Sequence, residues 1–343
     1  MRDTLKARVA AAIDAGARGE LGPDARDALL RDLARWQADG VAPYGRLVGK
    51  HDARGVDPLD WPALPTDVFR HVRVARHAPS LDACVFRTSG TTSGQRGEHP
   101  LRDLELYDRA AEAAARLTLF REGAPLRLVM LAPHPDEAPD SSLSYMLGRF
   151  EAWFGTTTDW VFPLDERLER ALDEAGDAPV ALLGTSFAFV HAEDLLDRRF
   201  ALAPGSRVMQ TGGFKGRSRE VAPDALRRAI AERYGVPEPS VVAEYGMTEL
   251  SSQMYERVGA DTAGRLWVPP WVRARVVDPE SLADVPDGAR GILRIDDPAN
   301  LDSVSAIQTS DLAIRHGAAI ELLGRAPGAV PRGCSLSVEE ALG

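Results

Sequence analysis

Short apolar runs that each end in a cluster of glycine, serine, threonine or proline recur through the middle of this sequence. They are residues 84–90, 126–133, 178–186, 206–213 and 240–249. Between several of them lie segments with apolar residues at three- and four-residue spacing, such as residues 101–120 and 224–235, which predict helices. Strands that alternate with helices form largely parallel sheets with helices on both faces. The sequence therefore predicts an α/β fold with ligand-binding residues at the carboxyl ends of its strands.

The two ends of the chain differ in pattern from its middle. Apolar residues at helical spacing predict helices within residues 1–40. After residue 262, short strand-like runs follow one another without a long helix, which predicts an antiparallel subdomain. We therefore expect a helical N-terminal region (residues 1–83) packed on an α/β body (residues 84–261), followed by an antiparallel β subdomain and a short C-terminus (residues 262–343).

The composition argues against several classes of protein. A net charge of −10 over 343 residues is unlike the basic excess of nucleic-acid-binding proteins. No apolar run approaches the roughly 18 residues needed to cross a bilayer. The two cysteines, Cys84 and Cys334, are far apart and form no CxxC pair or Cys/His cluster, which argues against structural zinc. We expect a cytoplasmic protein that binds no nucleic acid and has no membrane span.

The segment TSGTTSGQRG, residues 88–97, follows a strand-like run and precedes a predicted helix. Glycines allow a tight turn whose backbone N–H groups face an anion, and hydroxyl groups add further donors. A surface turn is the alternative for such a polar cluster, and the segment is not a Walker A loop because GxxxxGK[ST] is absent. The strand, the polar loop and the helix together favour phosphate binding. The candidate residues are Thr88, Ser89, Gly90, Thr91, Thr92, Ser93 and Gly94, with Arg96 as a positive charge for phosphate oxygens.

Three later segments add candidate site residues. In EYGMTE, Tyr245 can stack on a purine, Thr248 can reach a phosphate and Glu249 can hold Mg²⁺. In TSD, Asp311 can accept hydrogen bonds from both ribose hydroxyls, and Arg325 follows a glycine further along the chain. Taken singly, each has an alternative: a strand that ends in a turn, a solvated aspartate and a surface arginine.

In this order, TSGTTSGQRG, EYGMTE, TSDLAIR and LGRA resemble four motifs of the adenylate-forming superfamily of acyl-CoA synthetases, luciferases and peptide-synthetase adenylation domains. The resemblance covers about residues 60–340, with Arg96 at the place of a usual lysine and Ser93 at that of a usual glycine. It implies the large N-terminal-type domain of these enzymes, with mostly parallel sheets flanked by helices and a small antiparallel β subdomain. It also implies ATP and Mg²⁺ as cofactors.

The same resemblance gives roles to individual residues, and the body (residues 84–261) would bind the nucleotide and the acyl group. Lys215 could neutralise charge near the α-phosphate, although a structural salt bridge is an equal alternative. The remaining implied roles are adenine binding by Gly212, Gly213 and Tyr245, ATP contacts by Gly246 and Thr248, ribose binding by Asp311, ribose or phosphate binding by Arg325, and Mg²⁺ binding by Glu249.

A narrower resemblance joins TSGTTSGQRG, TGGFKG, YGMTEL and RGCSL to the acyl-protein synthetase (LuxE-type) family, which activates fatty acids for bacterial bioluminescence. Members of that family transfer the acyl group from the adenylate to a cysteine near their own C-terminus. Cys334 stands at the matching place, and a lone packed cysteine is the alternative. The wider superfamily carries a small C-terminal domain with a catalytic lysine. Because nine residues follow Cys334, we expect this chain to lack that domain.

We therefore expect an ATP-dependent ligase that activates a carboxylic acid, such as a fatty acid, as an acyl-adenylate and transfers it to a thiol. A reductase or another acyl-acceptor protein is the implied partner. Two alternatives stay open: an adenylating ligase for an aromatic or small acid in secondary metabolism, and a nucleotide- or acyl-adenylate-binding subunit with little activity. A hydrolase is disfavoured because the sequence has no G-x-S-x-G motif.

Overall fold

The computed structural model describes residues 1–89, 95–212, 221–260, 264–326 and 332–342, with the backbone alone at Arg54 and at residues 332–336. Its helices are α1 (Arg2–Ala17), α2 (Pro23–Ala38), α3 (Ala42–Lys50), α4 (Glu105–Thr118), α5 (Ser142–Phe154), α6 (Arg167–Ala175), α7 (Ser186–Leu195), α8 (Pro223–Tyr234) and α9 (Arg332–Leu342). Its strands are β1 (Leu64–Pro65), β2 (Cys84–Arg87), β3 (Glu98–Leu101), β4 (Leu126–Leu131), β5 (Gly155–Trp160), β6 (Val180–Thr185), β7 (Arg207–Thr211), β8 (Val241–Tyr245), β9 (Met254–Tyr255), β10 (Arg265–Trp267), β11 (Arg273–Val277), β12 (Arg290–Asp296), β13 (Ala306–His316) and β14 (Ala319–Arg325).

These elements group into two compact units. The first unit contains Met1–Ala113, Met247–Gln253 and Val268–Gly343, and the second contains Ala114–Gly246 and Met254–Trp267. The N-terminal helices and the C-terminal strands thus belong to one unit, although they lie at opposite ends of the chain. The division into residues 1–83, 84–261 and 262–343 that we expected from the sequence stays a prediction.

The second unit is built on a parallel sheet. Its strands lie in the order β5–β4–β6–β7–β8, and each of these pairs is parallel. β9 pairs with β8 and β10 pairs with β9, both antiparallel. Apart from Arg127 and Thr185, every residue of β4, β6 and β7 is buried, as expected for strands covered on both faces. The four strands predicted between residues 126 and 249 are confirmed, whereas β5 was missed because the sequence GTTTDW lacks an apolar run.

Helices of this unit pack on the sheet through a large apolar cluster. Val129 of β4, Leu182 of β6 and Val208 of β7 share it with Leu172 of α6 and Ile230 of α8. All five side chains are at most 4% exposed. Truncating one such leucine or isoleucine to alanine costs about 2–5 kcal/mol of the free energy of unfolding, so this cluster holds the strands in place.

The first unit contains an antiparallel sheet and the N-terminal helices. Its strands lie in the order β11–β12–β13–β14 with antiparallel pairing, and β1 pairs with β13 in parallel. The predicted antiparallel strands after residue 262 are therefore confirmed. α1 buries Leu5, Val9 and Ile13, which recur every four residues on one helix face. α2 begins with Pro23, a favoured first helical residue.

One predicted strand exists but lies in a different sheet from the one expected. The run at residues 84–90 was expected to join the parallel sheet and to lead into a helix. Instead, β2 pairs with β3 in a separate two-stranded antiparallel sheet, and α4 begins only at Glu105. β3 was missed because its four residues, EHPL, show no strand-like apolar pattern: a proline and a histidine stand at two of its buried positions. Among the described residues, no helix is both long enough and apolar enough to cross a bilayer.

Candidate functional site

The β2–β3 hairpin of the first unit positions the described part of the predicted phosphate loop. Thr88 N donates to Gly97 O at 3.0 Å, and Gly97 N donates to Thr88 Oγ1 at 2.9 Å, so two hydrogen bonds close the loop at its base. Arg96 Nε donates to Thr88 O at 2.6 Å, which fixes the guanidinium against the same base. Ser89 is exposed. Five of the predicted anion-binding residues lie outside the described residues: Gly90, Thr91, Thr92, Ser93 and Gly94.

Glu249, the predicted metal ligand, lies against this loop base within the first unit. A Cβ atom placed on Gly97 would be 3.2 Å from Thr88 Cγ2 and 3.6 Å from Glu249 Oε1. A side chain at position 97 would therefore press on Thr88 and make an ordinary van der Waals contact with the carboxylate. Glu249 is only 7% exposed. Two segments that are about 150 residues apart along the chain thus lie close together.

His99 holds the two segments together, and the sequence reasoning assigned it no role. Its ring is fully buried in β3, with Nδ1 2.8 Å from Thr248 O and Nε2 2.8 Å from Ser303 Oγ. A carbonyl oxygen only accepts, so Nδ1 carries the proton and donates it, while Nε2 accepts from the Ser303 hydroxyl. Burial lowers the pKa of His99 to about 4, so the ring is neutral near pH 7. His99 therefore connects β3 directly to the residue that precedes Glu249.

The connection between β12 and β13 holds the backbone on the other side of Glu249. Asn300 Nδ2 donates to Glu249 O at 2.8 Å. Asp297, which is fully buried, accepts from Ser251 N at 3.0 Å and from Ser252 N at 2.7 Å. Burial raises the pKa of Asp297, and these hydrogen bonds oppose that effect. The sequence DDPANLDSVS gave no signal for this role, because its polar residues are those of any surface loop.

Asp311 and Arg325 are brought together in the first unit as well. They face each other in the register of β13 and β14, and Arg325 Nε lies 3.6 Å from Asp311 Oδ1. Asp311 N donates to Thr309 Oγ1 at 3.1 Å, and that hydroxyl donates to Leu293 O at 2.7 Å. The aspartate side chain is 17% exposed and the arginine 69%. The residues predicted for ribose and phosphate binding therefore form an ion pair at a partly open position.

Mg²⁺ is the metal that the site implies, and the available donor fits it. Magnesium is usually bound by one or two carboxylates together with water and substrate phosphates, so a single buried carboxylate beside a phosphate loop suits it. Glu249 is a buried carboxylate near the base of the predicted phosphate loop. Within the described ranges, no group of three or more His, Cys, Asp or Glu residues could form an all-protein metal site. Glu249 would therefore be the protein ligand in an arrangement completed by phosphate oxygens.

In the second unit, the predicted adenine residues lie at the carboxyl ends of β7 and β8. Gly212 follows β7 with a φ of +73°, and its carbonyl accepts from Ser186 Oγ at 2.8 Å. Tyr245 ends β8 and Gly246 follows it in an exposed position. Gly213 and Lys215 lie outside the described residues. This placement agrees with the rule that ligands bind at the carboxyl ends of parallel strands.

Glu244, next to Tyr245, is a buried acid that the sequence reasoning left without a role. Its carboxyl group accepts a hydrogen bond from Thr211 Oγ1 at the end of β7. Burial raises the pKa of Glu244 to about 7, and the bond from Thr211 opposes this shift. The group therefore binds or releases a proton close to neutral pH, between the two strand ends of the second unit.

The structure gives the backbone position of Cys334 and the side-chain burial of Cys84. Cys334 lies in the first turn of α9, where the backbone alone is described. The C-terminal part of α9 is anchored in the first unit, because Arg46 Nε donates to Ala341 O at 2.8 Å. Cys84 lies in β2 and is half-buried.

A protein-family model described as acyl-protein synthetase, LuxE, matches residues 48–343. This chain belongs to the LuxE acyl-protein synthetase family. The match confirms the family and the ligase class expected from the motifs. A long-chain-fatty-acid–luciferin-component ligase from Vibrio harveyi is 26% identical over 143 residues, which cover 39% of this chain and 37% of that relative. A ligase of the same name from Aliivibrio fischeri is 24% identical over 92% of this chain and 88% of its own length.

Solved structures with a similar fold are adenylate-forming ligases. ATP-bound MatB from Rhodopseudomonas palustris is 19% identical, with a TM-score of 0.53 over 73% of this chain, which spans about half (49%) of the MatB chain. A 2-hydroxyisobutyryl-CoA ligase in complex with 2-HIB-AMP and CoA is 17% identical, with a TM-score of 0.63 over 91% of this chain and 78% of its own. The predicted fold class, the large domain of adenylate-forming enzymes with an added antiparallel sheet, is therefore confirmed.

Proposed function

We propose that this LuxE-family chain activates a carboxylic acid with ATP to form an acyl-adenylate and then transfers the acyl group to a thiol. The observation that carries the proposal is the contact of Gly97 with Glu249 in the first unit. A buried carboxylate near the base of a loop that is rich in hydroxyl groups and glycines supports the binding of a metal–triphosphate. The names of the Vibrio harveyi and Aliivibrio fischeri relatives suggest a long-chain fatty acid as the substrate.

In the first half-reaction, a carboxylate oxygen of the acid attacks the α-phosphorus of ATP, and pyrophosphate leaves. Catalysis of such a step depends on positioning and on neutralising charge, because little covalent chemistry is required of the protein. Arg96 and the loop residues Thr91 and Thr92 would hold the pyrophosphate end, and Asp311 the ribose. Glu249 would bind Mg²⁺, which neutralises phosphate charge when bound. Lys215 and Tyr245 keep their predicted roles at the α-phosphate and the adenine.

In the second half-reaction, a thiolate attacks the carbonyl carbon of the mixed anhydride, and AMP leaves. Cys334 is the candidate acceptor, which the family match over residues 48–343 supports because it includes this position. A thiolate is the reactive form, and Arg332 nearby in the sequence would favour it. A partner protein, such as a reductase, would then receive the acyl group. The cytoplasmic location expected from the cysteine content is part of the same proposal.

Exchange of labelled pyrophosphate into ATP, measured with long-chain, short-chain and aromatic acids, tests the first half-reaction. Exchange that depends on a long-chain acid is the expected result. Exchange with aromatic acids alone would favour a ligase of secondary metabolism. Absence of exchange with every acid, together with binding of ATP in calorimetry, would favour a nucleotide-binding subunit and contradict the proposal.

Intact-mass spectrometry tests the acceptor. After incubation with ATP, Mg²⁺ and the acid, the wild-type chain should gain the mass of one acyl group. Cys84→Ser is the matched control, because it removes the other cysteine of the sequence and should gain the same mass. Cys334→Ser should gain none. An acyl adduct on Cys334→Ser would exclude this cysteine as the acceptor, without affecting the exchange result.

A further inference from the structure

An arginine-lined cavity of about 260 Å³ lies in the first unit, at the turn end of the β13–β14 hairpin. Arg26, Arg273, Arg275 and Arg315 line it, with Asp284 as the acidic residue in the same lining. Asp311 lies four residues before Arg315 on β13, which separates the two by about 13 Å along the strand. The cavity is therefore distinct from the predicted ATP residues of this hairpin.

Two guanidinium nitrogens in this cavity lack hydrogen-bond partners. Arg273 Nη1 and Arg275 Nε are both buried without one. They project from the same face of β11, because residues two apart on a strand share a face. Within the described part of the chain, Arg273 also forms no ion pair. A buried donor without a partner costs about 1–3 kcal/mol, and more when the group is charged, so a shift of either guanidinium group toward a bound acceptor would recover part of this free energy.

The carboxylates around the cavity lie near the other arginines, although Asp296 Oδ2 is itself buried without a hydrogen-bond partner. Arg275 Nη1 lies 3.4 Å from Asp284 Oδ2, and its Nη2 donates to Leu59 O at 2.8 Å. Asp296, opposite Arg273 on β12, lies 3.1 Å from Arg294 and 3.8 Å from Arg275.

The outer arginines have acidic neighbours too. Arg315 Nε lies 3.2 Å from Asp287 Oδ1, and Arg26 lies 2.8 Å from Asp27 Oδ1. Arg273 is thus the arginine of this cavity whose charge no carboxylate within 4 Å offsets among the described residues. Burial is the main cause of the lowered pKa of Arg275; Arg294 and Arg273 add to it, and Asp296 and Asp284 oppose it.

The rest of the cavity wall is apolar. Val272, Val285 and Ile320 line it, and its volume is close to the lower end of small-molecule pockets, roughly 300 Å³. We propose that this cavity binds a small organic anion, with a carboxylate or phosphate head held by Arg273 and Arg275 and an apolar body against the valine and isoleucine side chains. Guanidinium groups suit both heads because their N–H donors match planar carboxylates and phosphates.

Isothermal calorimetry tests the proposal with three probes: hexanoate, hexyl phosphate and inorganic phosphate, each in the presence and absence of saturating Mg-ATP. We expect one of the hexyl probes to bind more tightly than inorganic phosphate, equally well with and without Mg-ATP, and more weakly as salt is added. The two hexyl probes show whether the carboxylate or the phosphate head is preferred. Absence of binding of all three at millimolar concentration overturns the proposal.

Arg273→Gln is the decisive variant, and Arg228→Gln on the exposed face of α8 is a control with the same change of charge. Arg273→Gln should raise the Kd by about tenfold, because one charge-assisted contact is lost, while the control stays within about twofold of wild type. Without a probe, Arg273→Gln should melt at the same or a higher temperature than wild type, because it removes an unpaired, partly buried charge. Equal binding by the two variants overturns the proposal and shows that the probe occupies another site.

Ala318→Glu provides a second variant that does not alter a buried side chain. Ala318 is exposed and lines the same cavity, so a carboxylate there would repel the probe and compete for the arginines. Binding should again weaken by at least about tenfold. Binding unchanged in Ala318→Glu would contradict the placement of the ligand. The hexyl phosphate results do not depend on the adenylation reaction, because this probe has no carboxylate to activate; hexanoate counts toward the test only without Mg-ATP.

Discussion

Replacing His99 by asparagine or by glutamine separates the two hydrogen bonds of its ring. An asparagine amide nitrogen reaches roughly the position of Nδ1 and can donate to Thr248 O. A glutamine amide reaches roughly the position of Nε2 and can contact Ser303 Oγ. His99→Asn therefore keeps the contact with the segment that carries Glu249, and His99→Gln keeps the contact with the β12–β13 connection.

The expected magnitudes follow from burial. Thr248 O, which is part-buried, loses its partner in His99→Gln, and an unpaired carbonyl of this kind costs up to about 1–3 kcal/mol. If that cost is relieved by a shift of Glu249, the rate of a reaction that depends on Glu249 falls by roughly 5- to 150-fold. His99→Asn removes more side-chain volume, so it leaves the larger cavity and should be the less stable of the two.

The two readouts should therefore rank the variants in opposite orders. In thermal melts, His99→Asn should have the lower Tm. In pyrophosphate exchange at increasing Mg²⁺, His99→Asn should stay within about threefold of wild type and His99→Gln should fall by about tenfold or more. Ser303→Ala is a control that keeps the Thr248 contact and should resemble His99→Asn in pyrophosphate exchange.

This reasoning would be refuted if the rate of pyrophosphate exchange in His99→Gln equalled or exceeded that in His99→Asn. His99 would then act only as a residue that fills the core. If the wild type shows no exchange, the proposed reaction fails. The ranking can then still be measured as the affinity for Mg-ATP in calorimetry.

The pH dependence of stability gives an independent check on the buried neutral ring. The pKa of His99 is about 4 in the folded chain and about 6.5 when unfolded. The unfolded chain therefore binds a proton in this window that the folded chain does not, so stability falls as the pH falls from 6.5 to 4. His99→Asn lacks this term. As the pH falls from 6.5 to 4, the free energy of unfolding of His99→Asn should therefore rise by about 3 kcal/mol relative to that of wild type. Urea unfolding at several pH values measures this difference.

Three further predictions concern acidic residues. The pKa of Glu244 is about 7 in the folded chain and about 4.5 in the unfolded chain. Between these two pH values the folded chain holds a proton that the unfolded chain has lost, so stability falls as the pH rises from 4.5 through 7. Glu244→Gln should therefore raise the Tm relative to wild type at pH 8 and not at pH 4.5; equal gains at both would contradict a protonated buried acid. Glu249→Gln should lower pyrophosphate exchange at least about tenfold and raise the Mg²⁺ concentration required, whereas Glu20→Gln at the surface should change neither. Arg227→Leu leaves Glu256, which Arg227 Nη2 contacts at 2.6 Å, as an unpaired buried charge, and should cost about 3–5 kcal/mol in urea unfolding. A loss below about 1 kcal/mol would show that this ion pair adds little to stability.

The sequence alone was sufficient for the parallel sheet of the second unit. Strands such as β4, β6 and β7 are buried on both faces, so they appear as continuous apolar runs that local composition reveals. The sequence did not predict β5 and β3. These strands are held by pairing with a neighbouring strand, and pairing leaves no apolar pattern in the threonines of β5 or in the sequence EHPL of β3.

The motifs likewise identified the family and its expected ATP residues, because glycines, hydroxyl groups and carboxylates recur there in a set order. Only the tertiary structure brought Gly97 against Glu249, gave His99 a fixed tautomer and placed Asn300 on the Glu249 carbonyl. The physical reason is that these contacts join segments between about 50 and 150 residues apart, and a hydrogen bond depends on distance in space and not on spacing along the chain. The same holds for the partnerless guanidinium of Arg273, which in the sequence is one arginine among many.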